Sequence, residues 1–92
     1  MLTFTRHARV RLQQRGIPQD VVQELLDFGR EIHNHRGSSV LYFDRQARER
    51  LRRAQGAANY RRLESHLHAF AVIGKQGQIV TVDHRTRRVN HV

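Results

Sequence analysis

The stretch Leu67-His68-Ala69-Phe70-Ala71-Val72-Ile73, followed by Gly74-Lys75-Gln76-Gly77 and Ile79-Val80-Thr81-Val82-Asp83, decides how the chain is organised. From Ala69 onward the first run is apolar on both faces of an extended segment, so it reads as a central strand. Gly74 to Gly77 is a strong turn signal, because glycine supplies backbone conformations that other residues resist, and Ile79 to Asp83 reads as the partner strand. The tail from Arg85 is expected to add an edge.

Working back towards the N-terminus, Gly56 breaks a helical pattern, and Tyr60 and Leu63 anchor a further helical turn beyond it. Asp44 caps a third helix reaching Gln55, whose apolar stripe is Ala47, Leu51 and Ala54 and whose other faces carry Arg45, Arg48, Arg50, Arg52 and Arg53. So thin a stripe puts this helix on the outside. From Arg30 the period shortens towards two, with Ile32 as the inward position, Gly37-Ser38-Ser39 as a turn and Val40 to Phe43 as a strand, which predicts a hairpin. Thr5 caps the first helix, Phe4, Ala8 and Leu12 recur every four residues along it, and Gly16 stops it. Pro18 opens the second, where Val21, Val22, Leu25, Leu26 and Phe28 oppose Asp20, Glu24 and Asp27 and Gly29 ends the pattern. No repeat or linker intervenes, so residues 1–92 are expected to form a single domain.

Seventeen basic residues against eight acidic give a formal net charge of +9, which calls for a polyanionic partner. Lys75 is the single lysine; the remaining basic residues are arginine, whose planar fork pairs bidentately with phosphate and stacks on bases. Residues 1–16, 45–64 and 65–92 carry the excess, and 17–29 are acidic. The absence of cysteine excludes disulfide scaffolds, thiolate zinc sites and cysteine nucleophiles. No apolar run approaches the ~18 residues needed to span a bilayer, and the opening Met1 to Arg11 lacks the apolar stretch of a secretory signal. A cytoplasmic protein without membrane or cofactor is expected, with too modest a core for a deep cavity.

Two clusters pair histidine with arginine. His7 and Arg11 share one flank of the first helix, with Arg15 nearer the buried stripe, and Asp83-His84-Arg85-Thr86-Arg87-Arg88 leaves the end of a strand. A histidine moves protons near neutral pH and arginine stabilises charge on phosphate oxygens, so His7, Arg11, His84, Arg85 and Arg88 are candidates for phosphoryl chemistry. The competing reading is a solvated helix flank and a basic edge that blocks strand pairing. His33-Asn34-His35 and His66-Leu67-His68 would bring four imidazoles together if their strands were neighbours, yet no carboxylate or cysteine completes a metal site and none is expected. Arg48, Arg52, Arg53, Arg61 and Arg62, with Tyr60 among them, form an electrostatic footprint for RNA. Tyr60 either stacks on a base or anchors the core beside Leu63.

Phe4-Thr5-Arg6-His7-Ala8, with Arg11, Arg15, Gly16 and Ile17 after it, resembles the opening of the small bacterial family catalogued as Domain of Unknown Function 4258. The resemblance continues at Gly29 and through Gly77-Gln78-Ile79-Val80-Thr81-Val82, and so spans most of the chain. Arg45 to Leu63 is longer and more basic than in the shortest members. The resemblance implies an α+β domain with two N-terminal helices packed on a small antiparallel sheet, similar to the barnase, colicin and RelE group of ribonucleases. The basic third helix would be inserted between the first hairpin and the C-terminal strands. Many relatives look like toxins of toxin–antitoxin pairs; His7, Arg11 and Arg15 match the helix motif and Thr81 the strand motif.

The expectation is therefore a metal-independent endoribonuclease of toxin type, cleaving RNA by 2′-hydroxyl attack and bound by an acidic antitoxin-like protein. The rivals are a non-catalytic RNA- or DNA-binding module, which needs the arginines alone, and a protein-interaction domain with an acidic partner.

Overall fold

A computed structural model of the chain describes residues 2–34 and 36–85. Helix α1, Arg6–Arg15, begins where the Thr5 hydroxyl oxygen accepts from the Ala8 amide at 3.1 Å. The same hydroxyl donates to the Val80 carbonyl at 3.0 Å, so the cap also fastens the helix to the C-terminal strands. Gly16 closes α1 in the left-handed conformation (φ 61), open to glycine at little cost. Helix α2, Gln19–Phe28, follows Pro18, which stands at the cap position just outside the first turn.

Strands β1 (Arg30–His33) and β2 (Ser39–Tyr42) form the first hairpin. Helix α3, Arg45–Leu63, is capped by Asp44, whose carboxylate accepts from the Ala47 amide at 2.7 Å, and is kinked at Gly56, where φ 79 and ψ 164 leave the helical region. A short 3₁₀ turn, Glu64–His66, leads to β3 (Ala69–Ile73), and β4 (Ile79–His84) returns beside it. The sheet has the order β1-β2-β3-β4 with every pair antiparallel, and Phe4 adds an isolated parallel bridge to Ile79. This is an α+β fold with the basic helix between the hairpin and the last two strands.

Strand periodicity divides the sheet into two unlike faces. Leu41, Ala71 and Val82 lie in register and are buried beneath the helices, with α2 over β2 and β3, α1 along β4, and α3 on α2. The opposite face carries the rows Ile32–Val40–Val72–Thr81 and Arg30–Tyr42–Phe70–Asp83, whose residues are half-buried or exposed. Ile32, expected inward, is 47% exposed because it belongs to this second face. Leu26 and Ala54 also stand more exposed than their helical stripes suggest. Both lie at the margins of thin apolar arcs, where a single turn of mismatch turns a side chain to solvent.

The segment His66-Leu67-His68 forms the 3₁₀ turn and its exit rather than a strand, and β2 separates β1 from β3. The two histidine pairs therefore do not lie on neighbouring strands; His35 is outside the described residues, as are residues 86–92, where the edge after Arg85 was expected. No helix among the described residues is long and apolar enough to cross a membrane.

Candidate functional site

The end of β4 gathers charge from three elements. Arg15 reaches Asp83 from the last turn of α1, Nε to Oδ1 at 3.1 Å, and Arg11 approaches the other carboxylate oxygen at 3.9 Å. Thr5 sets this geometry: by tying the start of α1 to Val80, it makes the helix run alongside β4, so residues one turn apart reach the same strand end. Asp83 also accepts from the amide of His84 at 2.8 Å, which holds its carboxylate at the strand terminus. Arg15, Phe70, Asp83, His84 and Arg85 line an open cleft of about 480 Å³.

Inside that cleft His84 lies against His66 with nearly parallel rings, 13° apart, and His66 Nδ1 is 3.4 Å from His84 Nε2. Burial first, and then the neighbouring His66, lower the pKa of His84 from its ordinary value; Asp83 pulls the other way but does not restore it. The shift favours the uncharged ring of His84, whose Nε2 faces His66 Nδ1.

Arg85 stands with its guanidinium carbon 5.0 Å from the centre of the Tyr42 ring, a cation–π contact, and its amide donates to the His68 carbonyl at 2.8 Å. Its Nε is buried and finds no acceptor among the described residues. Burial depresses its pKa, and the like charge of Arg48 adds to the effect. A guanidinium remains charged under such pressure, so an anion entering the cleft would offset the repulsion from Arg48.

The footprint expected on α3 is dispersed. Arg48 turns inward: Nε donates to the Phe43 carbonyl at 3.3 Å and Nη2 to the Leu67 carbonyl at 3.1 Å, clamping the 3₁₀ turn to the end of β2. Arg52 and Arg53 pair with Glu49, and Arg62 with Asp20 at 3.2 Å. Tyr60 is half-buried against the core, the anchoring alternative, and Arg61 is exposed. The kink at Gly56 sends the second half of α3 along a new direction, so Arg61 and Arg62 do not continue the face that carries Arg48.

Among the residues singled out from sequence, the cleft brings together Arg15, His84 and Arg85, and Arg11 joins them through Asp83 at 3.9 Å. His7 is exposed on α1, one turn before Arg11, with no hydrogen bond or ion pair to the cleft among the described residues. Arg88 lies outside the described residues. Arg15, expected nearer the buried stripe than its neighbours, has a side chain 46% exposed that lines the cleft. Sequence reasoning missed Tyr42 and Phe70, which read as strand residues, and the pairing of His66 with His84. The alternation of Val40-Leu41-Tyr42 and Ala69-Phe70-Ala71 was the available signal: it places both rings on one face, opposite the small core residues.

No family model, no curated protein and no solved structure matches this chain.

Proposed function

We propose that the chain is a metal-independent endoribonuclease, the toxin of a toxin–antitoxin pair, working at the end of β4. The observation that carries the proposal is the stacking of His84 on His66 at the cleft that His84 lines together with Arg15 and Arg85. In the reaction the RNA 2′-hydroxyl attacks its own phosphate, forming the O2′–P bond as the P–O5′ bond breaks. The His66–His84 pair takes the proton from the 2′-hydroxyl and returns one to the departing 5′-oxygen. Arg85 and Arg15 stabilise the charge that builds on the non-bridging oxygens, and Arg11 supports Arg15 through their shared carboxylate.

Incubation of single-stranded RNA with the protein in EDTA should yield 2′,3′-cyclic phosphate and 5′-hydroxyl ends, and the matching DNA should stay intact. His84→Ala should slow cleavage roughly 10²–10⁴-fold with RNA binding retained. Parent-like cleavage by His84→Ala, or activity lost to the chelator, refutes the mechanism. The exposed arginines on the outer helix faces favour a second reading, a non-catalytic RNA- or DNA-binding module or a domain that docks an acidic protein. Under that reading no preparation cleaves, while a partner binds with salt-sensitive affinity.

A further inference from the structure

Beside the cleft, the uncovered face of the sheet forms a second hollow of about 340 Å³, lined by Ile32, Val40, Tyr42, Phe70 and Arg85. Ile32, Val40, Phe70 and the Tyr42 ring make most of its lining apolar, and its volume is at the small end of sites that take organic ligands. Tyr42 and Phe70 are register partners on adjacent strands, so the two rings stand side by side. Phe70 and Arg85 line both the hollow and the cleft, which makes the two compartments neighbours with one wall in common.

An occupant of this pair of sites has to combine a flat apolar body with an anionic group one short step away. We propose that the hollow is a nucleobase-stacking site. The favoured ligand is then an unpaired nucleotide of single-stranded RNA, with its base against Tyr42 and Phe70 and its phosphate at Arg85 and Arg15. This rests on the RNA reading above and extends it to the form of the substrate. A duplex hides both faces of every base within its own stack, so it offers phosphates to the arginines and nothing to the hollow. Stacking on the two rings is tolerant of sequence, because every base has an aromatic face, and is strongest for the larger purine rings. Arg85 serves both compartments, since its guanidinium already lies over Tyr42 and can stack on a base while it pairs with phosphate.

The test uses the whole chain and a short unstructured RNA carrying the fluorescent base 2-aminopurine, whose emission responds to stacking. Binding should change the emission, and a duplex of the same sequence should bind more weakly at matched salt. Tyr42→Leu and Phe70→Leu should each weaken single-strand binding roughly ten-fold to a hundred-fold, with little effect on the duplex. Ile32→Ser at the exposed rim guards against misfolding of those variants and should weaken binding in the same direction. Unchanged emission, with parent-like affinity in all three variants, overturns the stacking site while leaving RNA binding by the arginines in place. Failure to bind any RNA removes both proposals. A parent protein that self-associates, is made monomeric by Ile32→Glu and keeps its RNA affinity would assign the hollow to a second copy of the chain instead.

Discussion

Replacing Arg48 with methionine removes the guanidinium and keeps most of the aliphatic stem, so it isolates the polar role of this side chain. Two carbonyls lose a charged donor at once, that of Phe43 at 3.3 Å and that of Leu67 at 3.1 Å. A hydrogen bond from a charged group contributes about 1.5–3 kcal/mol. Both distances exceed the ~2.7–2.9 Å of strong charge-assisted bonds, and the groups are only part-buried, so the lower figure applies to each, about 3 kcal/mol together. Relief of the repulsion between Arg48 and Arg85 offsets up to about 1 kcal/mol. The net loss is about 2–3 kcal/mol, which in a domain of this size lowers Tm by roughly 8–24 °C. Arg52→Met and Arg53→Met, which disturb only exposed pairs with Glu49, should stay within about 0.5 kcal/mol of the parent. Urea denaturation followed by circular dichroism at pH 7, with thermal melts of the same samples, separates the two classes. If Arg48→Met unfolds with the parent while its RNA affinity falls, Arg48 is a nucleic-acid contact and its role as a clamp is refuted.

Because burial and His66 lower the pKa of His84, its contribution to stability is intact above the unfolded histidine value of about 6.5 and is lost as pH falls from there through the folded value. His84→Gln should therefore flatten part of the acid limb in urea midpoints measured at several pH values below neutrality; an acid limb identical to the parent's contradicts the shift. Leu51→Ala empties a fully buried position on α3 and should cost about 2–5 kcal/mol by denaturant titration, with a loss under about 1 kcal/mol showing that the α3 contact is loose. Gly16→Ala meets no neighbouring atom but forces a Cβ into φ 61, so about 1 kcal/mol is lost to backbone strain alone, and Gly16→Asn should lose less. Equal stability of the glycine and alanine proteins would mean that α1 ends differently.

Local chemistry made most of the framework legible. Asp44, Gly16, the Gly74 to Gly77 turn and the capping bond from Ala8 to Thr5 act through atoms within a few residues of one another, and each stands where capping and turn rules place it. The strand pair built on Ala69–Ile73 and Ile79–His84 was readable for the same reason: its apolar runs and its turn are contiguous in sequence.

The amino-acid sequence by itself determined an arginine-rich, cysteine-free chain, its helix caps, its hairpins and the presence of histidine beside arginine near the end of β4. Tertiary structure alone decided which of those residues meet. Arg15 and Arg48 illustrate the division, since periodicity gives the side of a helix but not what lies beyond it. The run of α1 along β4 carried Arg15 to Asp83, whereas the docking of α3 beside the 3₁₀ turn spent the charge of Arg48 on two carbonyls. His66 and His84 are eighteen residues apart and became neighbours only because β3 and β4 pair antiparallel, which returns the end of β4 to the start of β3. The open face was hidden for a related reason. Alternation shows that a strand has two faces, but which face the helices cover depends on the packing of the whole chain, and that choice left Ile32, Tyr42 and Phe70 beside the arginines.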